Sequence, residues 1–178
     1  MDITNEISQQ SEKSLAQRIA QLLSAQLVGV LATNQCTGQL EQPYTSLMAF
    51  AHTSDLRYLI IATLKESQKH ENLLHNASLS LLIDNRCNSF ADYQQAVAIS
   101  VIGRAEVIPI DANPPMQALF LAKHPKLQGF VAKPECALLR ISVACYRVVS
   151  EFQATEVYQP EFSEATPYAT APAPPSPL

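Results

Sequence analysis

The chain reads as mainly β, a six-stranded antiparallel barrel with peripheral helices, and three observations predict this. Six short apolar, β-branched runs are spaced along the 178 residues, turn-forming clusters separate them, and helical periodicity is confined to isolated stretches. The strand pattern alone also fits a sandwich.

Residues 11 to 27 carry Leu15, Ile19, Leu22, Leu23 and Leu27 on one helical stripe, with Ser11 as N-cap, so an amphipathic helix is expected to pack on the sheet. LVGVLAT, from Leu27 to Thr33, predicts a first strand, and the Asn34–Gly38 cluster turns it into a hairpin. In Tyr44 to His52, Thr45, Leu47 and Ala49 alternate with Ser46, Met48 and Phe50, so both faces of the second strand meet something. Leu56 to Thr63 is a third strand. The charged stretch Leu64 to Asn76 then predicts a short helix starting near Ser67. Leu79 to Asp84 and Ala96 to Ile110 supply two more strands. Gly103 sits inside the longer one, where a glycine marks a bulge, a bend or a close approach of backbones. A helix from Met116 to Lys123 follows Pro114-Pro115, residues 124 to 135 are expected to be irregular, and Ala137 to Phe152 is the sixth strand.

Residues 1–10 are expected to be disordered, 11–159 to form one domain, and 160–178 to be a solvated tail. Half of the twelve prolines fall in that tail, which has no lysine or arginine. The net charge of -4 disfavours nucleic acid and anionic membrane as main partners. A polar, acidic start without an apolar run, and no stretch of spanning length, predict a cytoplasmic protein. Cys36, Cys87, Cys136 and Cys145 contain no C-x-x-C pair and read as reduced thiols. His70 and His75 are spaced i, i+5, which does not place them on one helix face for a metal, so no metal site is expected. His124, before Pro125, reads as a surface histidine. No nucleophile elbow and no H-E-x-x-H motif is present.

The segment Ile61 to Leu74 carries the most chemistry. A buried strand ends at Thr63 and runs into a helix start bearing Ser67, Gln68, Lys69 and Asn72. Unpaired helix amides, the hydroxyls of Thr63 and Ser67 and the ammonium of Lys69 would together make a phosphate site. The blander reading is a strand-to-helix junction with a capping serine and solvated lysines, and the residues alone leave both open.

The stretch from Val28 to Asp84, with LVGVLATN, PYTSLMAFAH and LRYLIIATLKESQKHENLLHNASLSLLID in order, resembles the pyridoxamine 5'-phosphate oxidase-like, FMN-binding split-barrel family. The resemblance extends over about residues 15 to 150 through Gly103–Val107. It implies a split barrel, FMN as cofactor and a homodimer with FMN at the interface. Thr63, Ser67, Lys69, Asn72 and Leu73 occupy the phosphate pattern T-x3-S-x-K-x2-N-L, and Ser46 occupies a strand position near the ring or ribityl chain. Gln68 stands where the oxidases proper carry arginine, and their arginine-rich end is missing. The resemblance therefore implies a flavin-dependent oxidoreductase acting on a small molecule other than pyridoxamine phosphate, with no assigned catalytic side chain. A non-enzymatic flavin-, deazaflavin- or heme-binding module is the alternative. Arg57, Arg86, Arg104, Arg140 and Arg147 are candidates for contacts across the dimer or to substrate, and equally for solvated strand charges.

Overall fold

Adjacent strand runs joined by few residues pair with each other, and the first two strands of this chain follow that rule. The computed structural model describes residues 3–37, 40–109, 114–150 and 154–161. Strands β1 (Val28–Thr37) and β2 (Leu40–His52) form a long hairpin in register from Val28 opposite Ala49 to Thr37 opposite Leu40. The Asn34–Cys36 segment, expected as the turn, is thus strand, and the tip lies outside the described residues.

β3 (Tyr58–Leu64), β4 (Ser78–Asp84), β5 (Val97–Ile108) and β6 (Cys136–Ser150) complete the expected six, and a seventh strand, β7 (Ala154–Tyr158), is added. The order is β3-β2-β1-β4-β5-β6-β7, all pairs are antiparallel, and an additional pairing of β3 with β6 closes the first six strands into a ring. β7 exists because β6 is much longer than β3. β3 covers β6 only from Cys136 to Ser142, and β7 covers the open edge from Tyr146 to Ser150. Gly103 marks the register shift in the β5–β6 ladder, where an added Cβ would lie 2.5 Å from the Ser142 carbonyl oxygen.

The helices are α1 (Ile3–Ala25), α2 (Gln68–His75), α3 (Asp92–Gln95), α4 (Pro114–Lys123) and α5 (Gln128–Val131). α1 starts at Ile3 rather than Ser11: the first residues contain neither glycine nor proline, so nothing in the chain stops the helix at the serine. The segment expected to be irregular contains a 3-10 turn, Pro125–Leu127, leading into α5. Of the expected tail, all but Pro160 and Glu161 lies outside the described residues.

Leu15, Ile19 and Leu23 of α1 join Leu31, Phe50, Leu59, Ile99 and Tyr146 in the main core, and Leu73 of α2 joins the same core beside Leu79, Ala105 and Ala137. α1 reaches the last residue of β2, where Ser24 Oγ lies 3.2 Å from His52 Nε2, whereas α2 is seated on β1 and tied to Thr33. Outside the ring, Phe120 of α4 and Val131 of α5 cover Ala51, Ile60, Ala62 and Leu138 in a second core. Among the described residues no helix is long and apolar enough to cross a membrane.

Candidate functional site

β3 delivers the chain to the site. Thr63, opposite Ala137 of β6, is buried at the end of the strand, and the turn after it is held by the Lys65 amide donating to Glu135 O at 2.8 Å and the Ser67 amide donating to Leu64 O at 3.1 Å. Ser67 is the N-cap of α2, with extended backbone, but its hydroxyl does not cap the helix. It donates instead to Leu64 O at 2.7 Å, so the Thr63 hydroxyl, 2.9 Å away, donates to Ser67.

The amides of His70 and Glu71 both reach Ser67 O, at 3.0 and 3.1 Å. Those of Gln68 and Lys69 precede the first helical bonds and lack an intrahelical partner, which leaves a small positive pole at the start of α2. Lys69 is half-buried and makes no hydrogen bond or ion pair among the described residues. Lys65 points elsewhere, onto Pro134 O at 2.7 Å.

Gln68 and Asn72 have a different task. Gln68 donates to Asn72 Oδ1 at 2.9 Å, Asn72 Nδ2 donates to Thr33 Oγ1 at 2.9 Å, and Thr33 donates to Tyr44 O at 3.4 Å. This directional chain fastens α2 to the β1–β2 hairpin. Thr33 is a residue that sequence reasoning missed, since nothing local marks the threonine ending an apolar strand as the partner of an asparagine 39 positions on. Ser46, opposite Leu31, lies two residues along β2 from Tyr44 and on the same face, about 7 Å away at strand rise. Its Oγ is buried without a hydrogen-bond partner. The structure thus gathers Thr63, Ser67, Gln68, Lys69 and Asn72 around the start of α2 and sets Ser46 on β2, the strand paired with the one on which α2 sits.

Of the five arginine candidates, Arg147 is exposed and the other four are engaged within the chain. Arg57 pairs with Asp55 at 2.7 Å, Arg86 with Asp84 at 3.2 Å and Arg140 with Glu106, while Arg104 donates to Ser78 at 3.3 Å. Burial opposes ionisation of Asp55, but hydrogen bonds from Thr53 and Arg57 win and hold its carboxyl below the usual range. His124 is not at the surface. It is buried, with Nε2–H donating to Phe50 O at 2.8 Å and its ring against Phe120, because α4 lays its last turn across β2. Next to it Lys123 donates to Leu23 O at 2.6 Å and sits 4.0 Å over the Phe50 ring, and burial lowers its pKa to about 8. The same burial, aided by Lys123, lowers that of His52. All four cysteines are free, and no metal-binding cluster occurs among the described residues.

Comparison with known proteins agrees with this architecture. A family profile described as pyridoxamine 5'-phosphate oxidase matches residues 15–150. No curated protein matches the chain. Among solved structures, a heme binding protein from Mycobacterium smegmatis superposes with a TM-score of 0.68 at 17% identity, over 81% of this chain and 57% of that one, so this chain spans little more than half of that protein. A protein related to general stress protein 26, of the pyridoxinephosphate oxidase family, from Clostridium acetobutylicum gives 0.61 at 14% identity, over 83% of this chain and 95% of the other. A FAD-binding protein from Mesorhizobium loti gives 0.57 at 19%, over 75% and 90%. At these identities the structures speak to fold, and the profile, which covers the ring of strands and α2 together, speaks to descent: the chain belongs to the pyridoxamine 5'-phosphate oxidase family.

Proposed function

We propose that this protein binds FMN, with the phosphate at the start of α2 and the ring system along β2, and works as a homodimer that oxidises or reduces a small molecule. The observation that carries the reading is the set of donors without an intrahelical or side-chain partner at one place, the Gln68 and Lys69 amides and the Lys69 ammonium, beside the buried Thr63 hydroxyl and the half-buried Ser67 hydroxyl. These residues fit a phosphate dianion. Ser46 Oγ, buried without a partner, fits a polar atom of the same ligand.

When bound, FMN supplies the electron and hydride chemistry. The chain's own residues bind and orient. Lys69 neutralises phosphate charge, and the α2 amides fix its position. The hydroxyls of Thr63 and Ser67, which bond each other and Leu64 O, would be the further donors available to the phosphate oxygens. The Gln68–Asn72–Thr33 chain holds α2 at a constant height over the hairpin.

The dimer is supported by the outer face of the sheet. Val28, Val30 and Ala32 of β1 stand beside Ala49 and Leu47 of β2 and Leu82 of β4, and Leu47 is 67% exposed. An apolar face of this kind on a small protein is typical of an interface between subunits. Four unpaired thiols, two of them exposed, suit a cytoplasmic setting.

Titration of the purified protein with FMN, followed by flavin fluorescence, tests the reading. Saturable quenching supports it, and absence of binding rejects it. Reduction of the bound flavin by NADH or NADPH, faster than that of free FMN, separates an oxidoreductase from a flavin-holding module.

A further inference from the structure

His70 stands out among the buried residues of α2. It is 7% exposed, yet neither Nδ1 nor Nε2 has a hydrogen-bond partner among the described residues, whereas Gln68 and Asn72 on the same helix are tied into the chain that ends on Tyr44 O. An imidazole carries at least one N–H in every protonation state, so folding strips this group of water and returns nothing for it.

Its place in the helix says where the ring lies. Helical side chains lean toward the N-terminus, so the third residue of α2 overlies the first turn. That turn carries the unpaired Gln68 and Lys69 amides and follows the Thr63–Ser67 hydroxyl pair. His70 also shares a face with Leu73, which is in the main core, so the ring is on the barrel side of the helix and not toward solvent. A buried donor without a partner, a helix pole and a lysine without a partner among the described residues therefore all belong to the first turn of α2.

Gln68 cannot supply the missing donor, because its amide is spent on Asn72 and Glu71. We propose that His70 is a direct ligand-binding residue, donating a hydrogen bond to the phosphate of the bound flavin. This inference rests on the FMN reading. It adds that the phosphate is gripped by an imidazole and an ammonium, with no guanidinium.

The test compares FMN with riboflavin, which lacks the phosphate, on the wild-type protein and on His70→Leu and His70→Asn. The leucine keeps the volume and removes every donor, while the asparagine keeps one. For His70→Leu the expected result is a loss of FMN affinity of about tenfold to a hundredfold, with riboflavin affinity unchanged. The ligand-free variant should melt at or above the wild-type temperature, since an unpaired polar group has been removed. His70→Asn should recover part of the FMN affinity, and it carries the test if the leucine variant fails to fold.

An unchanged ratio of FMN to riboflavin affinity in both variants would overturn the inference. So would an equal loss for the two ligands, which would put the imidazole at the ring. A ligand-free leucine variant that melts well below wild type with the ratio unchanged would make His70 a structural residue. If the wild-type protein binds neither ligand, the FMN reading falls and this inference with it. If wild type binds FMN and the variants bind it equally well, only the inference falls.

Discussion

At Lys123 burial and charge conflict most openly. Its ammonium is half-buried between α1 and α4 with no ion pair among the described residues, and the Leu23 carbonyl and Phe50 ring only partly replace lost water. The folded-state pKa of about 8 lies below the ordinary 10.5. Between those values the unfolded chain binds more protons, so stability from this group rises with pH through that window and is lowest below the folded pKa. Lys123→Met keeps the stem over Phe50 and removes the charge. It should stabilise the protein at pH 7 and flatten the rise in unfolding free energy between pH 7 and pH 10, as read by urea titration at both pH values. An equal rise in variant and wild type would show that Lys123 is not the titrating group. At the site, Lys69→Ala should weaken FMN binding about 10- to 100-fold, the effect of one charge-assisted contact, and leave the melting temperature unchanged. Asn72→Ala should do the reverse in part, costing about 1–3 kcal/mol of stability by leaving Thr33 and Gln68 without their buried partner. Thr63, Ser67 and Lys69 were legible as a group because a strand end and a helix start bring them together within a few residues. Thr33 and the burial of His70 and His124 were not, because each depends on an element distant in sequence: β1 meets α2, and α4 meets β2.

Among elements, the strands were readable wherever apolar runs ended in turn residues, and this covers β1 to β6. β7 escaped because its reason lies elsewhere, in the length by which β6 outruns β3. Ala154–Tyr158 has no apolar run of its own and is ordered by the edge it completes, with Tyr158 ringed against Tyr146 at 6.2 Å. Tyr146 anchors that corner: burial raises its phenol pKa well above the ordinary value, and its hydroxyl donates to Leu56 O at 2.6 Å. The glycine within β5 was legible as a constraint, and its cause is now specific. Gly103→Ala places a methyl 2.5 Å from the Ser142 carbonyl oxygen and 2.9 Å from Ile141 Cγ2, in a ladder whose backbone cannot retreat without breaking pairs. Chemical denaturation should register a loss of about 1–3 kcal/mol. An unchanged midpoint would mean that the β5–β6 ladder is slack at the register shift.

For the whole molecule, closure of six strands by the β3–β6 pairing leaves the sheet few free edges, so the proposed dimer would form through the apolar outer face of β2, β1 and β4. Leu47→Lys puts a charge at the middle of that face without touching either core. It should convert a dimeric mass to a monomeric one in light scattering and weaken FMN binding while the fold stays intact, and a variant that remains dimeric would move the interface elsewhere. The most direct measurement is a fluorescence titration of FMN into the protein with the mass of the complex determined at saturation. The account predicts saturable binding of about one FMN per subunit in a dimer, and flavin that stays free at every protein concentration would contradict it.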